Sequence, residues 1–175
     1  MAGSVAAWQN FYLLVGTAAA TLIGLMFVAV GFGANLVSQE ATASARAFLD
    51  PPFTHFVQVL LTACLLTIPT LGTTLLGVLL LVASALRLLG LVWVFRHMRA
   101  AHRKNGDLEL SDWLTGAVLP LLCYLLLAAT GAAFLECSAI ALNGLAIVTL
   151  VTLLNGVYGA WELMVWLALV RARTK

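Results

Sequence analysis

Apolar residues in this chain come in long runs, without the one-in-two or one-in-three alternation of a soluble strand or helix. Five runs stand at about 11–36, 53–70, 74–95, 113–134 and 145–170, separated by short polar stretches. About 20 apolar residues at 1.5 Å rise each match the ~30 Å hydrocarbon thickness of a bilayer. The pattern therefore predicts an all-α integral membrane protein, a bundle of five transmembrane helices in a single transmembrane domain over 1–175. Polar punctuation sets the expected ends. The stretch 38–50 carries a short surface-helix pattern over 41–49, and Asp50-Pro51-Pro52 reads as a helix start, a cap followed by prolines that need no N–H partner.

The short turn Pro69-Thr70-Leu71-Gly72-Thr73 makes spans two and three an antiparallel hairpin. Span three continues as a basic helix, with Arg96, Arg99 and Arg103 on one face, until Asn105-Gly106. Ser111 or Asp112 caps span four, and Pro120 kinks its first half. A loop over 136–144 with an Asn143-Gly144 turn precedes span five, in which Asn155-Gly156 leaves a second break open.

Charge placement orients these spans. Arg96, Arg99, Arg103 and Lys104 follow run three, and Arg171, Arg173 and Lys175 follow run five. The positive-inside rule puts both ends in the cytoplasm, so the expected topology is N-out/C-in with cytoplasmic loops at 38–52 and 96–112. Trp93, Trp113 and Trp166 then fall at that same interface, while Trp8 and Tyr12 anchor the far end of span one. Basic residues beside a membrane attract anionic lipid at roughly 1 kcal/mol each, which makes lipid the first expected partner. Charged residues make up 9% of the chain, against about 25% in a soluble domain, too few to cover a globule in water. Residues 1–7 lack a basic signal-peptide start, so the first run reads as a retained span.

Two ions interrupt the apolar runs. Arg87 and Glu162 each lie nine positions before an arginine, Arg96 and Arg171, and so at a shared depth of roughly 13 Å. A charge in hydrocarbon costs at least ~2.5–3.5 kcal/mol on insertion scales, which predicts that the two are partners. Gln58, counted from Asp50, falls roughly 12 Å up span two and extends the pair to a three-helix layer. Asn155, Tyr158 and Glu162 share a face at i, i+3, i+7. Such a layer is a packing salt bridge, a proton or solute pathway with Glu162 as its titratable site, or a place where Arg87 snorkels to headgroups alone.

Span one carries a ridge of small residues. Gly16, Ala20 and Gly24 repeat at four, Gly31 follows at seven, and Thr17 and Thr21 lie alongside. Small residues at this spacing let helix backbones approach closely, either within the subunit or at a homo-oligomer seam or pore. Cys64, Cys123 and Cys137 are scattered, and His97, His102 and a loop-borne His55 form no ligand spacing, so no metal, cofactor or disulfide is expected. Nucleotide-binding and hydrolase motifs are absent, nothing points to nucleic acid, and the chain reads as non-enzymatic.

Trp8-Gln9-Asn10-Phe11-Tyr12 and the following Gly16-Thr17-Ala18-Ala19-Ala20-Thr21-Leu22-Ile23-Gly24-Leu25-Met26-Phe27-Val28-Ala29 carry a resemblance. This stretch resembles the first span of small, mostly uncharacterised bacterial multi-spanning proteins, some described as modulators of a membrane-bound protease. The resemblance covers about the first thirty residues. It implies a multi-pass bacterial inner-membrane protein and a partner-binding role, and carries over no site residue. Two functions are thus expected. One is a homo-oligomeric channel or small-solute conduit, since one subunit of this size encloses no wide pathway. The other is a non-conducting accessory, scaffold or regulatory subunit that binds another membrane protein.

Overall fold

The computed structural model describes residues 2–33, 42–68, 70–105, 118–136, 138 and 140–173. Among them are five α-helices and no strand: α1 (Ala2–Gly33), α2 (Thr42–Thr67), α3 (Thr73–Asn105), α4 (Leu119–Leu135) and α5 (Ala141–Arg173). Three hold apolar windows long enough to cross a bilayer, at Trp8–Gly31, Thr73–Val92 and Ala141–Val165. The apolar stretches Pro52–Thr67 and Leu119–Leu135 are shorter, at 17 residues or fewer. They reach roughly 24–26 Å at helical rise.

Several expected boundaries move. The predicted surface helix and second span are one helix, with Pro51 and Pro52 inside α2 rather than at its start. Proline keeps a helical φ, and two adjacent prolines confine their missing N–H groups to one turn. The alanine-rich residues before them are good helix formers, so the helix persists on both sides. α3 is described through Asn105, and the expected break into Gly106 lies outside the described residues. Pro120 stands in the first turn of α4 as described, and the expected start of span four at Trp113 lies outside the described residues. The candidate caps Ser111 and Asp112 lie outside the described residues.

α5 starts earlier than expected and runs unbroken through Asn143-Gly144 and Asn155-Gly156. Both glycines are packing positions rather than turns. A Cβ on Gly144 would sit 2.9 Å from Thr130, and one on Gly156 would sit 2.7 Å from Phe56.

The chain divides into two compact units, Met1–Ala6 with Ile68–Val151, and Ala7–Thr67 with Thr152–Lys175. In the first, α3 and α4 cross glycine on glycine. A Cβ on Gly77 would stand 2.8 Å from the Gly131 carbonyl oxygen, and one on Gly131 would stand 3.0 Å from Leu81. Leu76, Leu80, Cys123, Leu127 and Phe134 are buried in this unit. In the second, α1 packs on α2 through Gly16, whose Cβ position is 2.8 Å from Ala63. Met26, Phe56 and Leu163 form its core with Leu22, Ile23, Phe53, Leu153 and Ala160 around them. Phe27 and Phe53 add an edge-to-face contact at 5.9 Å. Tyr12 is buried and makes edge-to-face contact with Phe11.

Large apolar side chains point outward on every one of the five helices, Leu14, Leu61, Leu89, Leu125 and Trp161 among them. Water would penalise so many outward apolar side chains, whereas lipid tails match them. Alanine at Gly77 should cost about 1–3 kcal/mol by overpacking a backbone contact. Alanine at Gly90, on the same helix with nothing within 4 Å, should be neutral or stabilising by up to about 1 kcal/mol. Thermal unfolding in detergent reads both, and equal shifts would contradict the α3–α4 crossing.

Candidate functional site

In the second unit α2 turns one polar stripe inward. His55, Gln58 and Thr62 follow i, i+3, i+7 and are all buried, as are Thr152 and Asn155 of α5. α5 runs antiparallel to α2, because Gly159 faces Pro52 while Gly156 faces Phe56 and His55. Those two glycines, three apart, let the α5 backbone settle onto α2. Asn155 thereby comes within reach of His55, its Nδ2 3.4 Å from the ring Nε2. One turn further along this register, Thr152 is level with Gln58. The result is a buried polar column of five side chains on two facing helices.

Most hydroxyls here are satisfied locally. Thr62 donates to the Gln58 carbonyl at 2.9 Å, and Gln58 Nε2 donates to Thr62 Oγ1 at 3.4 Å. In the first unit Ser84 and Thr130 likewise donate to their own helices, to Leu81 and Leu127, both at 2.8 Å. The His55–Asn155 contact differs because it joins two helices. An amide offers both a donor and an acceptor, so one tautomer of a neutral imidazole complements it. His55 also brings an ionisable ring into an apolar interior, where such groups are functional candidates by default.

The expected site residues separate. Gln58 and Asn155 are buried, Tyr158 and Glu162 are exposed, and Arg87 is half-buried on α3. Arg87 belongs to the first unit and Glu162 to the second, and no salt bridge is found among the described residues. Arg87 is within electrostatic reach of Tyr124 on α4. Gln58 is not at the level of Glu162. The α2–α5 register sets it beside Thr152, roughly 15 Å along α5 from Glu162. The depth count from Asp50 misled because α2 does not begin there. The Asn155–Tyr158–Glu162 stripe runs along the edge of the packed face, with its first member inside and the other two outside.

The glycine ridge divides in the same way. Gly16 is buried on Ala63, whereas Ala20, Gly24 and Gly31 face outward, with open space around both glycines. A four-residue repeat rotates roughly 40° per step, so no straight helix keeps all of its members on one neighbour. The outward Thr17 and Thr21 donate to Leu13 and Thr17 carbonyls at 2.8 and 2.9 Å. His55, expected in a loop, lies within α2 and adds a functional candidate that motif spacing does not give. Its i, i+3, i+7 relation to Gln58 and Thr62 was the available signal.

Among the described residues no three His, Cys, Asp or Glu side chains gather as a metal would require. Cys64 points outward and Cys123 is buried, while Cys137 lies outside the described residues. No protein-family model, curated protein or solved structure matches the chain. What fold and site define is a class: an all-helical chain with three helices long and apolar enough to cross a membrane, and polar side chains enclosed between helices.

Leucine at His55, at Asn155 and at both completes a thermodynamic cycle. The expected coupling is about 0.6 kcal/mol, with ~1.7 kcal/mol as the upper bound for interhelical hydrogen bonds in membranes. Reversible unfolding in mixed micelles measures it, and strictly additive effects would show that the contact carries no energy.

Proposed function

We propose that this chain is a multi-pass subunit of a bacterial inner membrane that acts by binding other membrane-embedded protein. In this reading all five apolar runs cross the bilayer, N-out/C-in. The two shorter stretches are accommodated by local thinning or by flanking residues, at fractions of a kcal/mol per Å of mismatch. Its role is accessory or scaffolding, without catalysis.

One observation carries the reading. Glu162 is exposed on α5 inside the apolar window Ala141–Val165, beside exposed Tyr158, Trp161 and Val165. A carboxylate turned towards hydrocarbon costs about 2.5–3.5 kcal/mol at the bilayer centre, a penalty that a protein neighbour with a donor or cation removes. The outward Ala20, Gly24 and Gly31 support it, since bare glycine lets a second helix approach closely.

A conduit is the second reading, and the buried column of His55, Gln58, Thr62, Thr152 and Asn155 favours it. The column is nevertheless closed by its own contacts, its Thr62 hydroxyl spent on an α2 carbonyl. Light scattering in mild detergent should give a protein mass above the 18.6 kDa of one chain, from further copies or from a co-purifying membrane protein. Proteoliposomes should show no proton or small-solute flux above background. A lone protomer in native-lipid discs would contradict the proposal, and a flux abolished by Asn155→Leu would move the function to the conduit.

A further inference from the structure

We infer that the neighbour at the Glu162 edge is a transmembrane helix of a different protein, one that carries a basic residue within its apolar span. The inference rests on the association reading above and gives the partner its chemistry.

The docking face lies on α5 alone. At about 3.6 residues per turn, Leu154, Tyr158, Trp161, Glu162 and Val165 fall within one sector of roughly 100°. All five are exposed. From Leu154 to Val165 the sector runs roughly 16 Å, or about three turns, enough to seat a crossing helix. Its two ends are aliphatic. Between them Tyr158 and Trp161 stand at i, i+3, and Tyr158 and Glu162 at i, i+4, spacings that leave Cβ atoms ~5–6 Å apart.

Two aromatic rings beside a carboxylate select a cation. The carboxylate attracts positive charge, and the faces of tryptophan and tyrosine attract it further as water is excluded. A wholly apolar neighbour would leave the carboxylate uncompensated, and a neutral donor would make no use of the rings. The helix itself selects the source of the cation. α5 continues unbroken beyond Glu162, and Leu163–Val170 carry no charge before Arg171. A lipid ammonium would have to descend roughly 13 Å from the level of Arg171, whereas lysine or arginine on a neighbouring span is already there.

The chain's own cations favour a different protein over a second copy. Arg87 is the single basic residue in the five apolar runs. It is half-buried on α3, within electrostatic reach of Tyr124. A copy would have to draw it out of that setting, while a different span brings its cation to an open face.

One test uses a synthetic leucine–alanine transmembrane helix with a central lysine, and a twin with leucine there. Energy transfer from the labelled full-length chain in bilayers should show the lysine helix bound about tenfold more tightly, as for a strong interhelical polar contact. Glu162→Gln should remove the preference and Trp161→Leu should reduce it, both with unchanged helical content. Equal binding of the two helices, or a preference that survives Glu162→Gln, would overturn the inference.

The second test uses the native membrane. A photoreactive benzophenone side chain at position 165 should link the chain to a spanning segment that contains lysine or arginine, mapped by mass spectrometry. Glu162→Gln should abolish that adduct. An adduct on a span without a basic residue would overturn the cation. One on a second copy would overturn the different protein and leave the association reading standing. Adducts to lipid alone would overturn this face as a docking site, and together with the mass of a lone chain they would overturn association too.

Discussion

Lipid tails are as apolar as leucine, so for helices in a bilayer burying leucine against leucine gives no reason to associate. What remains is close approach and polar satisfaction, and the packed contacts in both units reflect it. Gly77 crosses Gly131, Gly16 meets Ala63, and Gly156 and Gly159 seat α5 on Phe56 and Pro52. Dispersion at such short range is collectively large because both helices bring backbone atoms into contact. The same constraint turns Ser84, Thr62 and Thr130 back onto their own helices, since an unpaired hydroxyl in an apolar interior is expensive.

Under that constraint the polar residues sort into two groups. Those between helices, His55, Gln58, Thr62, Thr152 and Asn155, are enclosed, and the His55–Asn155 contact ties α2 to α5. Those at the edge, Glu162 and Tyr158, face out of the chain. The inner group holds the second unit together. The outer group is what another protein can use, which is why the account places function at the surface of the helices and not along an interior path.

The long apolar runs make α1, α3 and α5 legible in the sequence alone. Proline and glycine were less legible, because their usual meaning comes from turns. Here Pro51-Pro52 sit within a helix and Gly144 and Gly156 serve packing. Burial of Gln58 and Asn155 was readable from polar residues inside apolar runs. The outward turn of Glu162 was not, because depth along an axis says nothing of which way a side chain faces. Azimuth also divided the Gly16–Gly31 ridge, and it hid His55 until its stripe with Gln58 and Thr62 was seen on one helix face.

The central claim is that the Glu162 edge of α5 meets protein while the rest of its outward face meets lipid. Val165 lies one turn from Glu162 on that edge, and Met164, at nearly the same depth, lies across the exposed face; both are outward in the single chain. Spin labels on Val165→Cys and Met164→Cys, read by oxygen collision rate in bilayers, separate the two. A low rate is expected at 165, as in a protein interface, and a lipid-like rate at 164. Equal, lipid-like rates at both positions would contradict it.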